Sequence, residues 1–277
     1  GAAGKTGRAV IGALAGRGEA VRALVHRPEQ TTVVERLGAQ ETIVGDMADR
    51  DTMRRAVRGV RAVYHICPNM HPHEVAIGQA AIDAACAAGV AHFVYHSVLH
   101  PQTEAMPHHW QKLRVEERLL ESGLPFTILQ PAAYMQNLLV HWPRITAEGV
   151  YPVPYAVETR LSLVDLQDVA AAAALVLGEE GHAGATYELV GTAALSQQEV
   201  AEVLSRQLGR PVRAEAVDRE TWQRGARAAG LGEYAIETLL KMFRYYERYG
   251  FAGNPRVLTW LLGRPPTTLA DFVRRQV

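Results

Sequence analysis

The sequence predicts an α/β fold, a doubly wound parallel sheet with a smaller, mostly helical C-terminal lobe. Three observations carry that prediction. Short apolar runs of the buried-strand kind alternate with stretches whose apolar residues recur at helical spacing. A glycine-rich turn opens the first of those helices. From Asp218 onward the strand pattern stops and amphipathic helical pattern takes over.

The first seven residues, Gly1-Ala2-Ala3-Gly4-Lys5-Thr6-Gly7, hold three glycines and run into Val10, Ile11 and Leu14, one apolar face of a helix. Glycine brings backbone close to a phosphate, and the first N–H groups of a helix point at an anion with the dipole behind them. The turn therefore reads as a pyrophosphate cradle for a dinucleotide. Residues 19–25 follow as a strand, the order of a βαβ unit. In such a unit the turn also follows a strand, so a central strand is expected ahead of Gly1. Gly4-Lys5-Thr6 is also the tail of a phosphate-binding loop of nucleoside triphosphatases. That pattern needs a further glycine upstream of Gly1, and no later strand ends in a suitable magnesium-binding Asp.

The strand at 19–25 ends in His26-Arg27-Pro28. An acidic residue at this point holds the ribose 2′-hydroxyl of NAD, whereas a guanidinium pairs with the 2′-phosphate of NADP. Arg27 thus favours NADP(H) over NAD(H), against the plain alternative of an exposed loop arginine. Residues 41–46 form the next strand. Asp46 suits an adenine amino group, with Met47 packing on the ring, and equally suits the cap of a helix starting near 49–52. Residues 62–68 are a continuous apolar strand ended by Pro68, and a helix over 73–88 stops at Gly89. The strand at 91–98 puts Ser97 at the carboxyl edge of the sheet, where open α/β sheets bind ligands.

A helix over 107–120 starts on Pro107 and is closed by Gly123 and Pro125. His108 and Lys112 are four apart and share a face continued by Val115 and Leu119. A lysine there suits the ribose hydroxyls of a nicotinamide cofactor, and a titratable neighbour suits proton transfer; the alternative is two solvent residues on an amphipathic helix. Residues 125–131 are a strand leading into Ala132 to Asn137. The stretch 149–154 is turn-rich and reads as an edge, 160–164 as a strand, 165–177 as an alanine-rich packed helix and 186–190 as a strand. Ser196 and Glu199 form a capping box for a helix ending near Gly209, 211–217 is a short strand, and Thr268 caps the last helix.

With 29 Lys plus Arg against 29 Asp plus Glu, the net charge is zero, which argues against nucleic-acid and membrane partners. The two cysteines, Cys67 and Cys86, indicate no disulfide framework and fit a cytoplasmic protein. Eight of the histidines crowd between His65 and His109, but without metal-ligand spacing, so no metal is expected.

Taken together, the cradle, Leu24-Val25-His26-Arg27-Pro28, Gly45-Asp46, Tyr95-His96-Ser97, Lys112, Pro131 to Asn137, Asp165-Leu-Gln-Asp-Val169 and Thr186-Tyr-Glu-Leu189 resemble the NmrA-like family of atypical short-chain dehydrogenase/reductase proteins over essentially the whole chain. The resemblance implies an NAD(P)-binding Rossmann domain over 1–150, then a mixed region over 151–277 that returns in part to the sheet and carries the substrate lobe. Cofactor contacts are expected from Gly1, Gly4, Lys5, Thr6, Gly7, Arg27, Asp46, Met47, Cys67, Pro68, Ser97, Lys112, Pro131 and Tyr134. Lys112, His108 and Ser97 are the expected catalytic groups, and Tyr134, Met135 and Asn137 the substrate-facing ones. Two departures stand out: His108 occupies the place of the usual catalytic Tyr four residues before the Lys, and Ala3 that of a frequent Thr. The expected activity is NADP(H)-dependent hydride delivery to a small aromatic or conjugated acceptor such as a quinone, enone or dye. The alternative is a non-catalytic NADP(H)-binding redox sensor acting through a protein partner, and a homodimer is compatible with either. Trp222, Tyr234, Phe243, Tyr245, Tyr246 and Tyr249 either line an aromatic substrate pocket or simply pack.

Overall fold

The computed structural model describes residues 1–277. Two units divide the chain between them: residues 1–102, 108–130 and 169–187 in the first, and 103–107, 131–168 and 188–277 in the second.

The first unit runs α1 (Lys5–Gly16), β1 (Val21–Val25), α2 (Thr31–Glu35), β2 (Ala39–Val44), α3 (Arg50–Val57), β3 (Ala62–His65), α4 (Glu74–Ala88), β4 (His92–His96), α5 (Pro107–Leu120) and β5 (Phe126–Pro131). The pairs β1–β2, β3–β4 and β4–β5 are all parallel, as helical crossovers require. Parallel strands covered on both faces read as unbroken apolar runs, and in β4 Phe93, Val94 and Tyr95 are fully buried. Ile82, Ala85, Val115, Leu119 and Ile128 close around Phe93 and Tyr95. A Cβ on Gly78 would lie 2.6 Å from both methyls of Val115, so α4 and α5 meet closely there. Gly89, at φ 64°, ends α4 in the left-handed conformation that glycine adopts without strain.

These strands, with β9 (Ala185–Leu189), stand in two ladders, β1-β2 and β3-β4-β5-β9. Between β1 and β3 lies a cavity of about 660 Å³, lined by apolar residues such as Val10, Ile11 and Val57 and by polar ones such as Arg22, Glu41 and Arg61.

The second unit holds β6 (Ala133–Tyr134), α6 (Trp142–Glu148), β7 (Val150–Val153), β8 (Leu163–Val164), the start of α7 (Leu166–Gly178), α8 (Gln197–Leu208), β10 (Arg213–Ala216), α9 (Arg219–Ala228), α10 (Glu233–Tyr249), α11 (Pro255–Leu262) and α12 (Leu269–Arg274). The stretch predicted as a turn-rich edge is β7, buried at every position and paired in parallel with β10. Both strands of a two-stranded sheet are edges, so Pro152 costs no ladder bond. The strand expected over 160–164 shortens to Leu163–Val164, with Leu161 making isolated bridges to Leu195 and Phe251. The Ser196–Glu199 capping box is formed in both directions. Asp168 is fully buried and accepts from the Arg264 guanidinium and the Thr267 N–H, each at 2.6 Å. Asp165 accepts from the Gln136 amide at 2.7 Å and pairs with Arg275. Those two carboxylates tie the C-terminal segment to the start of α7. Of the C-terminal aromatics, Trp222 packs edge-on to Phe243, and Tyr246 stacks on Phe251. No helix is long and apolar enough to cross a membrane.

Candidate active site

The cradle is built from backbone alone. Gly4 is the N-cap of α1 in extended conformation, with no side-chain cap, which leaves the first N–H groups of the helix for a ligand. Gly4 N–H donates to the Gly1 carbonyl at 3.0 Å, and Arg8 N–H to the Gly4 carbonyl at 2.9 Å. Neither Gly4 nor Gly7 has positive φ, and space rather than handedness is what Gly1 and Gly7 supply; a Cβ on Gly4 would meet only the Gly1 carbonyl oxygen, at 3.2 Å. A Cβ on Gly7 would sit 2.4 Å from the Gly1 carbonyl oxygen and 2.5 Å from that of Ala2; one on Gly1 would sit 2.5 Å from the Ile66 carbonyl oxygen. Thr6 and Gly7 are buried, and Lys5 is exposed. Gly7→Ala is therefore expected to push the turn away from α1 and weaken dinucleotide binding by roughly tenfold or more. Calorimetric titration with NADPH checks this, with a thermal melt to confirm folding.

Beside the cradle a cavity of about 360 Å³ is lined by Gly1, Leu24, His26, Asp46, Met47, Pro68 and His71 with their neighbours. It gathers four of the expected cofactor residues, Gly1, Asp46, Met47 and Pro68, and adds His26 and His71, which sequence reasoning missed. Arg27 lies next to His26, exposed and without an ion pair; the Gln30 side-chain oxygen accepts from the N–H groups of both, at 3.0 and 3.1 Å. The cap of α3 is Asp49 and not Asp46: it accepts from the Thr52 N–H at 2.9 Å and from the Thr52 hydroxyl at 2.6 Å. Asp46 instead accepts from the Ala48 N–H in a local turn. Cys67 is buried, and burial, with the Glu74 charge adding, pushes its thiol up to about 12, so it remains protonated.

The α5 face is buried, which overturns the solvent-face alternative for His108 and Lys112: His108, Lys112 and Glu116 recur every four residues along it and are all buried. Lys112 Nζ pairs with Glu74 Oε1 at 2.5 Å and lies 3.5 Å from the His96 carbonyl oxygen. The Tyr95 hydroxyl donates to the same Glu74 oxygen at 3.3 Å. Ser97, one residue past β4, donates its hydroxyl to Glu116, whose two oxygens also accept from the Gln130 amide at 3.0 and 3.2 Å. Burial raises the Glu116 carboxyl above its ordinary value, while the bonds from Ser97 and Gln130 and the Lys112 charge pull the other way. His108 meets His109 edge-to-face at 4.5 Å, and its Nδ1 has no partner. Burial first, then the neighbouring His109 and Lys112, hold the His108 imidazole down to about 3. It is neutral at pH 7 and has no imidazolium proton to give.

Glu74, Glu116 and Gln130 were not anticipated. Glu116 had a signal, lying one turn beyond Lys112 on the same helix; Glu74 and Gln130 arrive from other elements, and no sequence spacing relates them to Lys112. In the second unit, Met135 is fully buried in a core with Leu138 and Ile145, a packing position, whereas Tyr134 is half-buried and Asn137 exposed. Pro131 is buried at the end of β5.

The sequence model of the NmrA-like family matches residues 1–271. The chain is 34% identical over 279 residues, 98% of this chain and 94% of the relative, to (4-alkanoyl-5-oxo-2,5-dihydrofuran-3-yl)methyl phosphate reductase of Streptomyces griseus. It is 31% identical over 255 residues, 91% of this chain and 88% of the relative, to NAD(P)H azoreductase of Xenophilus azovorans. The crystal structure of an NADPH-dependent quinone oxidoreductase from Escherichia coli, complexed with NADPH, covers 100% of this chain with 98% of its own at a TM-score of 0.87 and 28% identity.

Proposed function

The chain belongs to the NmrA-like family, and from that premise we propose that it is an NADPH-dependent reductase of small conjugated acceptors. The observation that carries the proposal is the cradle: uncapped helix N–H groups, and a missing side chain at Gly7 that keeps the turn against α1. The neighbouring cavity, with Met47 and Asp46 on its wall, suits an adenine. The fit supports a dinucleotide. When bound, a reduced nicotinamide supplies the hydride.

In this reading the cradle N–H groups hold the pyrophosphate and Arg27 takes the 2′-phosphate. Lys112 holds the nicotinamide-side ribose, and Tyr134 and Asn137 meet the acceptor. A reduced acceptor needs a proton as well as a hydride. Ser97 and Glu116, a hydroxyl bonded to a carboxyl with raised affinity for its proton, suit that task better than neutral His108. The acceptors named for the relatives, an oxo-dihydrofuran, a quinone and an azo compound, share conjugation. Two free cysteines suit the cytosol.

One observation favours the second reading, a nucleotide-binding sensor: the residue standing in for the family's catalytic tyrosine is an imidazole held neutral by burial. A single experiment separates the two. The reduced-nicotinamide absorbance is followed while quinones, enones and azo dyes are added. Its fall with at least one class supports the reductase; NADPH binding without oxidation by any class supports the sensor. In the same preparation Arg27→Ala is expected to weaken NADPH by about tenfold to a hundredfold, and NADH by less than about twofold, because only NADPH offers the phosphate that a guanidinium pairs with. Equal weakening of both nucleotides would remove Arg27 from the recognition of the 2′-phosphate.

A further inference from the structure

We propose that Glu74 is a cofactor-binding residue, and that its free carboxylate oxygen accepts a hydrogen bond from a hydroxyl of the nicotinamide-side ribose held by Lys112. This rests on the NADPH reading above and adds a residue that the lysine motif does not contain.

Glu74 stands in the first turn of α4 at 1% exposure, and Lys112 stands on α5 at 7%. An ammonium has three N–H donors. One of Lys112's goes to Glu74 Oε1 at 2.5 Å and one is directed to the His96 carbonyl at 3.5 Å. The third makes no hydrogen bond to the protein, and the ammonium stands over the Tyr95 ring, 5.7 Å from its centre. Glu74 Oε1 is fully used, by Lys112 and by the Tyr95 hydroxyl at 3.3 Å. Glu74 Oε2 is buried and accepts nothing. A buried carboxylate oxygen without a donor is costly, and native proteins rarely leave one so. The ion pair thus carries one spare donor and one spare acceptor on adjoining groups.

A hydroxyl fills both at once, accepting from the ammonium and donating to the carboxylate. A phosphate cannot, because it brings only acceptors and a negative charge against Glu74. Ribose supplies hydroxyls, and the pair lies next to Cys67 and Ser97, at the carboxyl ends of β3 and β4. That is the edge at which open parallel sheets bind their ligands. The one competing occupant with the same capacity is an ordered water.

The test is calorimetric, on the protein and its Glu74→Gln variant, with NADPH and with 2′,5′-ADP, which carries the adenosine side and no nicotinamide ribose. In Glu74→Gln the side chain keeps its size, and one accepting oxygen becomes a donor. NADPH is expected to bind about tenfold to a hundredfold more weakly to the variant, with 2′,5′-ADP within about twofold of the parent. Unchanged NADPH binding in a variant that melts cooperatively overturns the proposal. A second arm needs only the unaltered protein: NADPH analogues lacking the 2′- or the 3′-hydroxyl of the nicotinamide ribose. At least one of them is expected to lose about tenfold in affinity. If both bind like NADPH, the pair holds water, and the proposal falls even where Glu74→Gln fails to fold. Binding of 2′,5′-ADP with no added affinity for NADPH also overturns it while leaving nucleotide binding intact. An unaltered protein that binds neither ligand overturns the NADPH reading itself, and the inference with it.

Discussion

Acidification from pH 6.5 towards pH 4 is expected to unfold the first unit with an uptake of about four protons. The groups responsible are His65, His96 and His108, held down to about 3, and His109, held down to about 4, against an ordinary value of 6.5. Burial is the first cause for each, and the Lys112 ammonium adds to all four. Below pH 6.5 the unfolded chain binds protons at these imidazoles and the folded chain does not. Stability therefore rises with pH across the window, is complete above about 6.5, and is lost as pH falls towards 3 to 4. Each group contributes about 1.4 kcal/mol per pH unit where it is charged only in the unfolded state. Four of them approach the whole stability of a domain within one to three pH units. Glu116 works in the opposite sense, since its raised carboxyl regains stability as pH falls, but it is one group against four. Urea titrations at a series of pH values measure the slope directly. A slope near zero between pH 6 and pH 4.5 would mean that these histidines are charged in the folded protein, contrary to their burial.

Lys112→Met is expected to destabilise the protein by about 3–5 kcal/mol, because it leaves the Glu74 carboxylate buried without its cation. The side chains of Lys112 and Glu74 are only 9% and 1% exposed, so little solvent is at hand to replace the lost partner. Most of the loss is expected to return in the double variant Lys112→Met/Glu74→Leu, in which neither charge remains to be buried. Thermal melts at pH 7.5 on the two single variants and the double one close the cycle. A double variant as unstable as Lys112→Met alone would assign the loss to α5 packing instead. The surface pairs offer a contrast. Arg54–Asp51 and Arg227–Glu233 lie between largely exposed side chains, and their removal is expected to leave the thermal melt nearly unchanged.

The two predictions share a cause. Unit one spends its interior on polar groups: a lysine, two glutamates, four histidines and a serine are buried along β3, β4 and the facing sides of α4 and α5. An apolar filling of that space would be the ordinary choice for a parallel sheet. In the proposed reductase, this concentration of ionisable groups at the carboxyl edge of the strands belongs to the cofactor site rather than to the core.

What the sequence by itself determined is whatever depends on neighbours along the chain. The glycine turn and the face that follows it, the apolar run of β4, the Ser196–Glu199 box, Pro107 at the start of α5 and the glycine stops after α4 and α8 are set within a few residues, by backbone sterics, capping and periodicity. The pairing of His108 with Lys112 on one face was legible for the same reason, through the helical repeat. Only the tertiary structure decided which way that face points. Burial converted an apparently solvated His108 into a neutral imidazole, and it left Lys112 facing a glutamate 38 residues earlier in the chain. The same holds for Gln130 on Glu116, for His26 and His71 beside Asp46, and for Asp165 and Asp168, at the start of α7, that hold the C-terminal segment. A hydrogen bond between side chains from different elements leaves no periodic trace. It needs only the right groups at the right separation in space, and that separation is fixed by how helices and strands pack rather than by the residues on either side.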